Sequence, residues 1–148
     1  MWAFQDKGGR DVCLIPEVTG LVQELWRDDW SKRSKTRRVM YVSRAFRYER
    51  PQAGRYREFT QFGVEYLGSQ GPEDREEVLA LLRKCLDATG VAYTLNDTVK
   101  RGLTYYVEDG FEAECVALGA QKQIAGGGRY AEGIGWAIGV DRLVLGIS

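Results

Sequence analysis

The chain has 148 residues and a formal net charge of zero, and its hydrophobic and charged contents of 44% and 28% are typical of a soluble globular protein. This length predicts one domain, residues 1–148, with a single core. No apolar run approaches a membrane span or a signal peptide, so we expect a cytoplasmic protein without membrane contact.

The composition also limits the chemistry. The chain contains no histidine, which excludes Ser-His-Asp and Cys-His nucleophiles, imidazole metal ligands and a histidine general base. An enzyme with this sequence must therefore use arginine, carboxylates, tyrosine and bound metal. Cys13, Cys85 and Cys115 are odd in number and far apart, so we predict neither a disulfide nor a zinc site and expect three buried apolar side chains.

Residues 1–17 predict a hairpin in which "MWAFQD" and "RDVCLIPE" flank a Lys-Gly-Gly turn, because consecutive glycines supply the positive φ angles of a tight turn. Thr19 is predicted to cap a short helix. The apolar residues of that helix are predicted to share one side: Leu21, Val22, Leu25 and Trp26. The basic stretch "SKRSKTRR", residues 31–38, is either a solvated connection or a contact for tRNA or another polyanion.

Two strands rich in aromatic and β-branched residues follow, over residues 39–50 and 57–68, and the loop "PQAGRY" joins them into an antiparallel pair. Strand alternation places a ring, an amide, a gap and a carboxylate on one face of the second strand: Phe59, Gln61, Gly63 and Glu65. The opposite face is apolar.

On the first strand Arg47 and Glu49 share a face, and pairing can bring them beside Phe59 and Gln61. A ring next to an arginine and a carboxylate suits an adenine base with an attached phosphate, through stacking and charge-assisted hydrogen bonds. The alternative is a hairpin whose outer face is only charged and solvated.

An amphipathic helix is predicted over residues 72–89, with Pro72 in its first turn and Gly90 after its last. Strands are predicted at 91–96 and 110–118, and the C-terminal segment passes from a glycine-rich strand into an apolar helix that starts near Gly139. The glycine series ends in Arg142 and indicates either close approach of a ligand or a purely structural strand-to-helix turn.

These motifs, in this order, resemble the class II aminoacyl-tRNA synthetase catalytic core in its histidyl-tRNA synthetase form. "FRYERPQAGRYREFTQFGVEYLG" is similar to motif 2 and "GWAIGVDRLVL" to motif 3. "RGLTYY" and "GGRY" resemble the two histidyl signatures, and "MWAFQDKGGRDVCLIPEVTG" resembles the hairpin that ends in Arg-Pro-Glu-x-Thr. The resemblance covers nearly the whole chain.

The resemblance implies an α+β fold, in which an antiparallel β-sheet is flanked by helices, and the formation of histidyl-adenylate and pyrophosphate from histidine and ATP. It implies ATP and Mg²⁺ as cofactors, no metal held by the protein itself, and the tRNA acceptor end as a possible partner. Three arginines are the implied catalytic residues: Arg47, Arg101 and Arg142. The implied ATP-binding residues are Arg47, Glu49, Arg55, Phe59 and Arg142. The implied histidine-binding residues are Glu17, Thr19, Gln61, Glu65, Arg101, Tyr105, Tyr106 and Tyr130.

Within this resemblance, Arg47 holds the α-phosphate, Phe59 stacks on the adenine, and Arg55 and Arg142 grip the terminal phosphates. A carboxylate and a phenol at opposite edges can hydrogen-bond both ring nitrogens of an imidazole. The absence of histidine is no obstacle, because a carboxylate that attacks the α-phosphate is already ionised and needs alignment and charge neutralisation rather than a general base. Arginine supplies that neutralisation in a fixed geometry.

The sequence also departs from the family pattern. We expect a minimal form: no motif 1 helix precedes Met1, the spacing from Glu65 to Arg101 is too short for the insertion domain, and no anticodon-binding domain follows Ser148. A homodimer would therefore form without the motif 1 helix that usually builds the dimer interface of this family. Three residues depart from the signatures: Ile15 stands in place of an Arg, and Thr104 and Ala131 each stand in place of an Asp. The amino-acid specificity of the chain must therefore be determined by experiment.

Two other functions fit the same motifs. One is a histidine-sensing regulatory subunit that resembles that of ATP phosphoribosyltransferase and does not catalyse a reaction. The other is activation of an amino acid for a carrier other than tRNA. A complete set of ATP-binding arginines and Phe59 argues against a pure sensor, which has no need of them.

Overall fold

The computed structural model describes residues 1–68, 71–100 and 105–148. Its centre is a six-stranded antiparallel sheet, and a separate two-stranded hairpin precedes it. The hairpin strands are β1 (Ala3–Gln5) and β2 (Asp11–Cys13). The sheet strands are β3 (Arg37–Phe46), β4 (Glu58–Leu67), β5 (Thr94–Val99), β6 (Gly110–Glu114), β7 (Gln123–Tyr130) and β8 (Gly133–Gly139). Their order across the sheet is β3-β4-β8-β7-β6-β5, so β3 and β5 are its edges.

Three helices accompany the sheet: α1 (Thr19–Asp28), α2 (Pro72–Thr89) and α3 (Val140–Ile147). The prediction for α2 is confirmed at both ends: Pro72 opens the helix, and Gly90 closes it with a left-handed φ of 76°. The Asp74 carboxylate accepts a hydrogen bond from the backbone N–H of Gly71 at 3.0 Å, which caps the first turn. None of the helices in the described ranges combines the length and apolar character that a membrane crossing requires.

The two faces of the sheet bury different clusters, because side chains alternate along each strand. On β4, Val64 and Tyr66 pack with the apolar face of α2 in the main core, while Leu67 packs with α1 in a smaller one. Trp136 on β8 links the main core to α2 by donating its indole N–H to the Val78 carbonyl at 2.9 Å. The opposite face, beside α1, is the one that carries the predicted site residues of β4.

This geometry leads to a stability prediction. Leu82 of α2 is fully buried in the main core, so Leu82→Ala is expected to lower the free energy of unfolding by about 2–5 kcal/mol through lost burial and a residual cavity. Leu21 of α1 is a matched control with its side chain about half exposed (49%), and Leu21→Ala is expected to cost less than about 1 kcal/mol. Urea unfolding followed by circular dichroism measures both. Equal losses for the two leucines would contradict this assignment of the core.

Several local predictions are wrong for identifiable reasons. Thr19 does not cap α1, because Val18 occupies the cap position and the Thr19 hydroxyl bonds elsewhere. Leu21 and Leu25 are exposed, and the buried face of α1 is formed by Val22, Gln23 and Trp26. In the first turn only Gly9 has a positive φ.

Other elements differ in extent. The glycine-rich segment forms two strands, β7 and β8, where one was predicted, and its helix begins at Val140 as expected. The strands predicted at 91–96 and 110–118 occupy Thr94–Val99 and Gly110–Glu114, and a 3-10 turn, Val116–Gln121, follows the second. Of the three free cysteines, Cys115 is buried, Cys85 is half-buried and Cys13 is exposed, so the burial prediction holds only for the first.

Candidate active site

A cavity of about 670 Å³ opens on the face of the sheet beside α1. Its floor is formed by β8 and β7, and the β8 residues on this face are small. In β8 they are Gly135, Ala137 and Gly139, which lie opposite Glu65, Gly63 and Gln61 of β4. A side chain at Gly135 would place its Cβ 1.8 Å from Glu65 Oε2 and 2.4 Å from the Val64 carbonyl oxygen. The glycine-rich sequence therefore creates the space that the cavity occupies.

One part of the cavity is lined by arginines. The guanidinium of Arg47 lies over the Phe59 ring at 5.0 Å and donates from Nε to the Pro16 carbonyl at 3.2 Å. Arg142 donates from Nε to the Gly54 carbonyl and from Nη1 to the Gln123 carbonyl, both at 2.7 Å. Burial lowers the pKa of Arg142, and the nearby charges of Arg47 and Arg55 lower it further. Three cations held close together in this way give this part of the cavity a positive charge that suits a polyanion.

The connection between β3 and β4 supplies the third cation. Arg55 forms an ion pair with Glu49, with 2.6 Å between Nη2 and Oε2, across the turn that Gly54 makes with a φ of 77°. Arg57 donates from Nε to the Glu49 carbonyl at 2.9 Å. Together with the bond from Arg142 to Gly54, these contacts fix the loop over the cavity.

The other part of the cavity contains carboxylates and phenols. Glu65 is almost fully buried, and its two carboxylate oxygens accept hydrogen bonds from Thr19 at 2.8 Å and from Tyr130 at 2.6 Å. Burial raises the pKa of Glu65 from about 4.5 to about 7, against the opposing effect of its side-chain interactions with Tyr130, Thr19 and Tyr41. Burial and the Glu65 charge also raise the pKa of Tyr130, so this phenol stays protonated and donates.

The raised pKa of Glu65 predicts a pH effect on stability. Between about pH 4.5 and pH 7 the native state holds the Glu65 proton and the unfolded state releases it, so the Glu65 contribution to stability falls as pH rises, by up to about 3 kcal/mol. We expect wild type to lose stability relative to Glu65→Gln across this window, measured by urea unfolding at a series of pH values. A constant difference between the two proteins would contradict the prediction.

Three further groups complete this part of the cavity. Tyr105 donates its hydroxyl hydrogen bond to Glu17 at 3.3 Å, and Tyr106 pairs with Tyr130 through a backbone bridge. The Gln61 side-chain oxygen is buried, and no donor within the described ranges reaches it. A buried acceptor without a donor is costly, and a bound amino group would satisfy it.

The cavity brings together every predicted site residue that the structure describes. Arg101, predicted as a catalytic and histidine-binding residue, and Thr104 lie outside the described residues. The sequence reading missed Asp141, whose carboxylate accepts a hydrogen bond from the Thr60 backbone N–H at 2.6 Å and ties α3 to β4. It also missed Tyr41 beneath the cavity. The Asp-Arg pair that ends motif 3 was the signal for Asp141, and the register of β3 against β4 was the signal for Tyr41.

Other cations of the first strand region lie outside the cavity lining. Arg44 is paired with Glu58, and the Arg57 guanidinium lies over the Tyr48 ring at 5.0 Å. In the stretch 31–38, Arg33 pairs with Asp29 and Arg38 with Glu77. These pairs are exposed and are typical of a solvated surface, while a polyanion contact there stays a prediction.

The protein donors do not form a metal-binding cluster within 1–68, 71–100 and 105–148, where no three acidic or cysteine side chains converge. Glu49, the acidic residue nearest to the arginines of the loop, is engaged by Arg55.

Comparison with known proteins gives consistent matches. The histidine--tRNA ligase of Methanosphaerula palustris is 29% identical over 250 residues, which cover 100% of this chain and 61% of that ligase. The ligase of Methanosarcina acetivorans is 38% identical, with 91% of this chain and 33% of the relative covered. The chain thus spans less than two thirds of the curated relatives it matches, and the M. palustris ligase is longer within the matched region.

Solved structures confirm the class II synthetase fold. An apo histidyl-tRNA synthetase from S. aureus superimposes with a TM-score of 0.81 at 21% identity, with 99% of this chain and 60% of that chain covered. A Bacillus halodurans protein described as an ATP phosphoribosyltransferase regulatory subunit/histidyl-tRNA synthetase gives the same TM-score at 15% identity, with 99% and 68% covered. The family model described as Histidyl-tRNA synthetase matches residues 1–97. The chain therefore belongs to the histidyl-tRNA synthetase family.

Proposed function

We propose that this chain activates histidine with ATP, forming histidyl-adenylate and pyrophosphate. The observation that carries the proposal is the division of one cavity into a cationic part, with Arg47, Arg55 and Arg142, and a part of carboxylates and phenols around Glu65. A triphosphate fits the first part and a cationic amino acid fits the second. The family membership and the names of the relatives support the same assignment.

The reaction follows from this arrangement. The histidine carboxylate forms a new oxygen–phosphorus bond at the α-phosphate, the bond from phosphorus to the α,β-bridging oxygen breaks, and its electron pair leaves with pyrophosphate. No proton moves, so the side chains need only align the reactants and neutralise charge. Arg47 is assigned to the α-phosphate, and Arg55 and Arg142 are assigned to the leaving pyrophosphate. To bind it, Arg55 must exchange part of its bond to Glu49 for phosphate oxygens.

The adenine is assigned to the Phe59 ring, one face of which already carries the Arg47 guanidinium. Magnesium enters as a substrate component on the phosphate oxygens of ATP, where it neutralises charge. The histidine α-amino group is assigned to Glu17, Thr19 and Gln61; the buried side-chain oxygen of Gln61 has no donor among the residues that the structure describes. Glu65 and the surrounding phenols are assigned to the imidazole ring.

Pyrophosphate exchange into ATP tests this proposal across the twenty amino acids. Exchange that requires histidine supports it, and the absence of any amino-acid-dependent exchange contradicts it. Calorimetric binding of histidine in the same preparation separates the regulatory alternative, because a sensor binds histidine without exchange. Transfer to tRNA is then tested by charging tRNA(His), and failure there with normal exchange indicates a different acceptor.

A further inference from the structure

Tyr41 has a side chain that the proposed mechanism leaves without a role. It lies on β3 directly opposite Gly63 of β4, and its ring crosses the position that a side chain at 63 would occupy. A Cβ at Gly63 would stand 2.1 Å from Tyr41 Cζ and 2.3 Å from its hydroxyl oxygen. Gly63 therefore provides the slot that brings the phenol of Tyr41 between Gln61 and Glu65, which flank Gly63 on the same face.

The Tyr41 hydroxyl is buried and has no hydrogen-bond partner among the residues that the structure describes. An unsatisfied buried hydroxyl destabilises a protein, so a phenylalanine would fit this slot better if packing were its only purpose. Burial raises the pKa of Tyr41, and the nearby charge of Glu65 raises it further. The group is thus a protonated phenol that lies close enough to Glu65 to lower the pKa of that carboxyl, and close to the Thr19 hydroxyl, without a hydrogen bond of full geometry to either.

Tyr41 is not among the residues that line the cavity, so its role is sought through its neighbour Glu65, which does line it. The charged and titratable groups around Tyr41 come from four parts of the chain: Glu17 before α1, Glu65 on β4, Tyr106 before β6 and Tyr130 on β7. Glu65 accepts one hydrogen bond at each oxygen, from Thr19 and Tyr130, and a carboxylate can accept about four. Acceptor positions therefore remain for a substrate N–H and for the Tyr41 hydroxyl.

We propose that Tyr41 is a positioning residue for amino-acid recognition, which donates its hydroxyl hydrogen bond to Glu65 when a ring N–H of the substrate engages that carboxylate. The inference rests on the proposed function, since it assigns the histidine ring to Glu65. An N–H donor binds best to an ionised carboxylate, and burial opposes ionisation of Glu65. Tyr41 already lowers the pKa of Glu65, and a full hydrogen bond from its hydroxyl at the moment of binding offsets more of that opposition.

The test replaces the hydroxyl alone. Tyr41→Phe is expected to weaken histidine binding about tenfold by calorimetry and to raise the KM for histidine in pyrophosphate exchange, with kcat and the KM for ATP unchanged. The urea midpoint of unfolding is expected to equal or exceed that of wild type, because an unsatisfied hydroxyl has been removed. Tyr66→Phe is the matched control, since the Tyr66 hydroxyl contacts Glu77 on the opposite face of the sheet at 3.4 Å.

Unchanged histidine affinity in Tyr41→Phe would overturn the inference. So would an equal rise in the KM for ATP, which would mean that the ring supports the whole cavity rather than Glu65. If wild type binds histidine but exchanges no pyrophosphate, the proposed adenylation is wrong. The ratio of the histidine affinities of wild type and Tyr41→Phe still decides the role of Tyr41 in that case. Absence of histidine binding in wild type overturns the role of Tyr41 as well.

Discussion

Arg47→Ala is expected to reduce histidine-dependent pyrophosphate exchange by about 10²- to 10³-fold, the usual cost of removing one preorganised donor that stabilises transition-state charge. Arg47 reaches the cavity from the end of β3, where it is held over Phe59 and bonded to the Pro16 carbonyl. The substitution removes the guanidinium assigned to the α-phosphate and leaves the sheet unaltered. We expect the loss to fall on kcat, because attack at the α-phosphate is the step that needs this charge.

Arg44→Ala is the control for Arg47. Arg44 lies three residues earlier in the chain, is exposed and pairs with Glu58 outside the cavity lining, so its removal is expected to leave exchange within about twofold of wild type. Equal losses in both variants would show that exchange responds to the net charge of this surface. That result would remove Arg47 from the catalytic assignment.

Glu65→Gln is expected to weaken histidine binding by about two orders of magnitude or more. The substitution keeps the shape of the side chain but replaces a buried acceptor of two hydrogen bonds by an amide, and losing one partner of a buried charged contact costs about 2–5 kcal/mol. ATP binding is expected to change little, because Glu65 lies among the phenols rather than the arginines. Calorimetry with histidine and, separately, with a non-hydrolysable ATP analogue measures both effects.

An exposed glutamate on the same strand provides the comparison for Glu65. Glu58→Gln changes the same functional group at the start of β4, where the side chain is half exposed and pairs with Arg44. Histidine affinity is expected to remain at the wild-type value in this variant. If Glu65→Gln also binds histidine normally, the amino-acid side chain lies elsewhere in the cavity, and the inference about Tyr41 falls with it.

The sequence predicted those parts of the fold where a single periodicity dominates. The α2 helix carries a regular apolar face between Pro72 and Gly90, and β3 and β4 alternate clearly, so these elements and the shared face of Phe59, Gln61 and Glu65 could be assigned. The sequence predicts one strand in place of the β7–β8 hairpin, because glycine-rich strands show little alternation and no turn signal marks residues 131–132.

Long-range contacts account for the remaining errors. Thr19 carries the side chain of a helix cap, but its hydroxyl bonds to Glu65, 46 positions away, and no local pattern encodes that choice. The position of Tyr41 becomes evident only from the register that places it opposite Gly63. The chemical roles of the arginines came from resemblance to a family, since spacing alone could place them on a face and could not assign a phosphate to each.

The loop between β3 and β4 has a consequence for the entropy of nucleotide binding. Three contacts within the protein hold it: Arg142 with the Gly54 carbonyl, Glu49 with Arg55, and Arg57 with the Glu49 carbonyl. Ordering a free backbone costs about 1–2 kcal/mol for each residue, and folding has already met that cost here. Under the proposed function ATP would bind to a preorganised loop, and the selectivity of the site would depend on whether the triphosphate can replace the carboxylate and carbonyl oxygens that the arginines already hold.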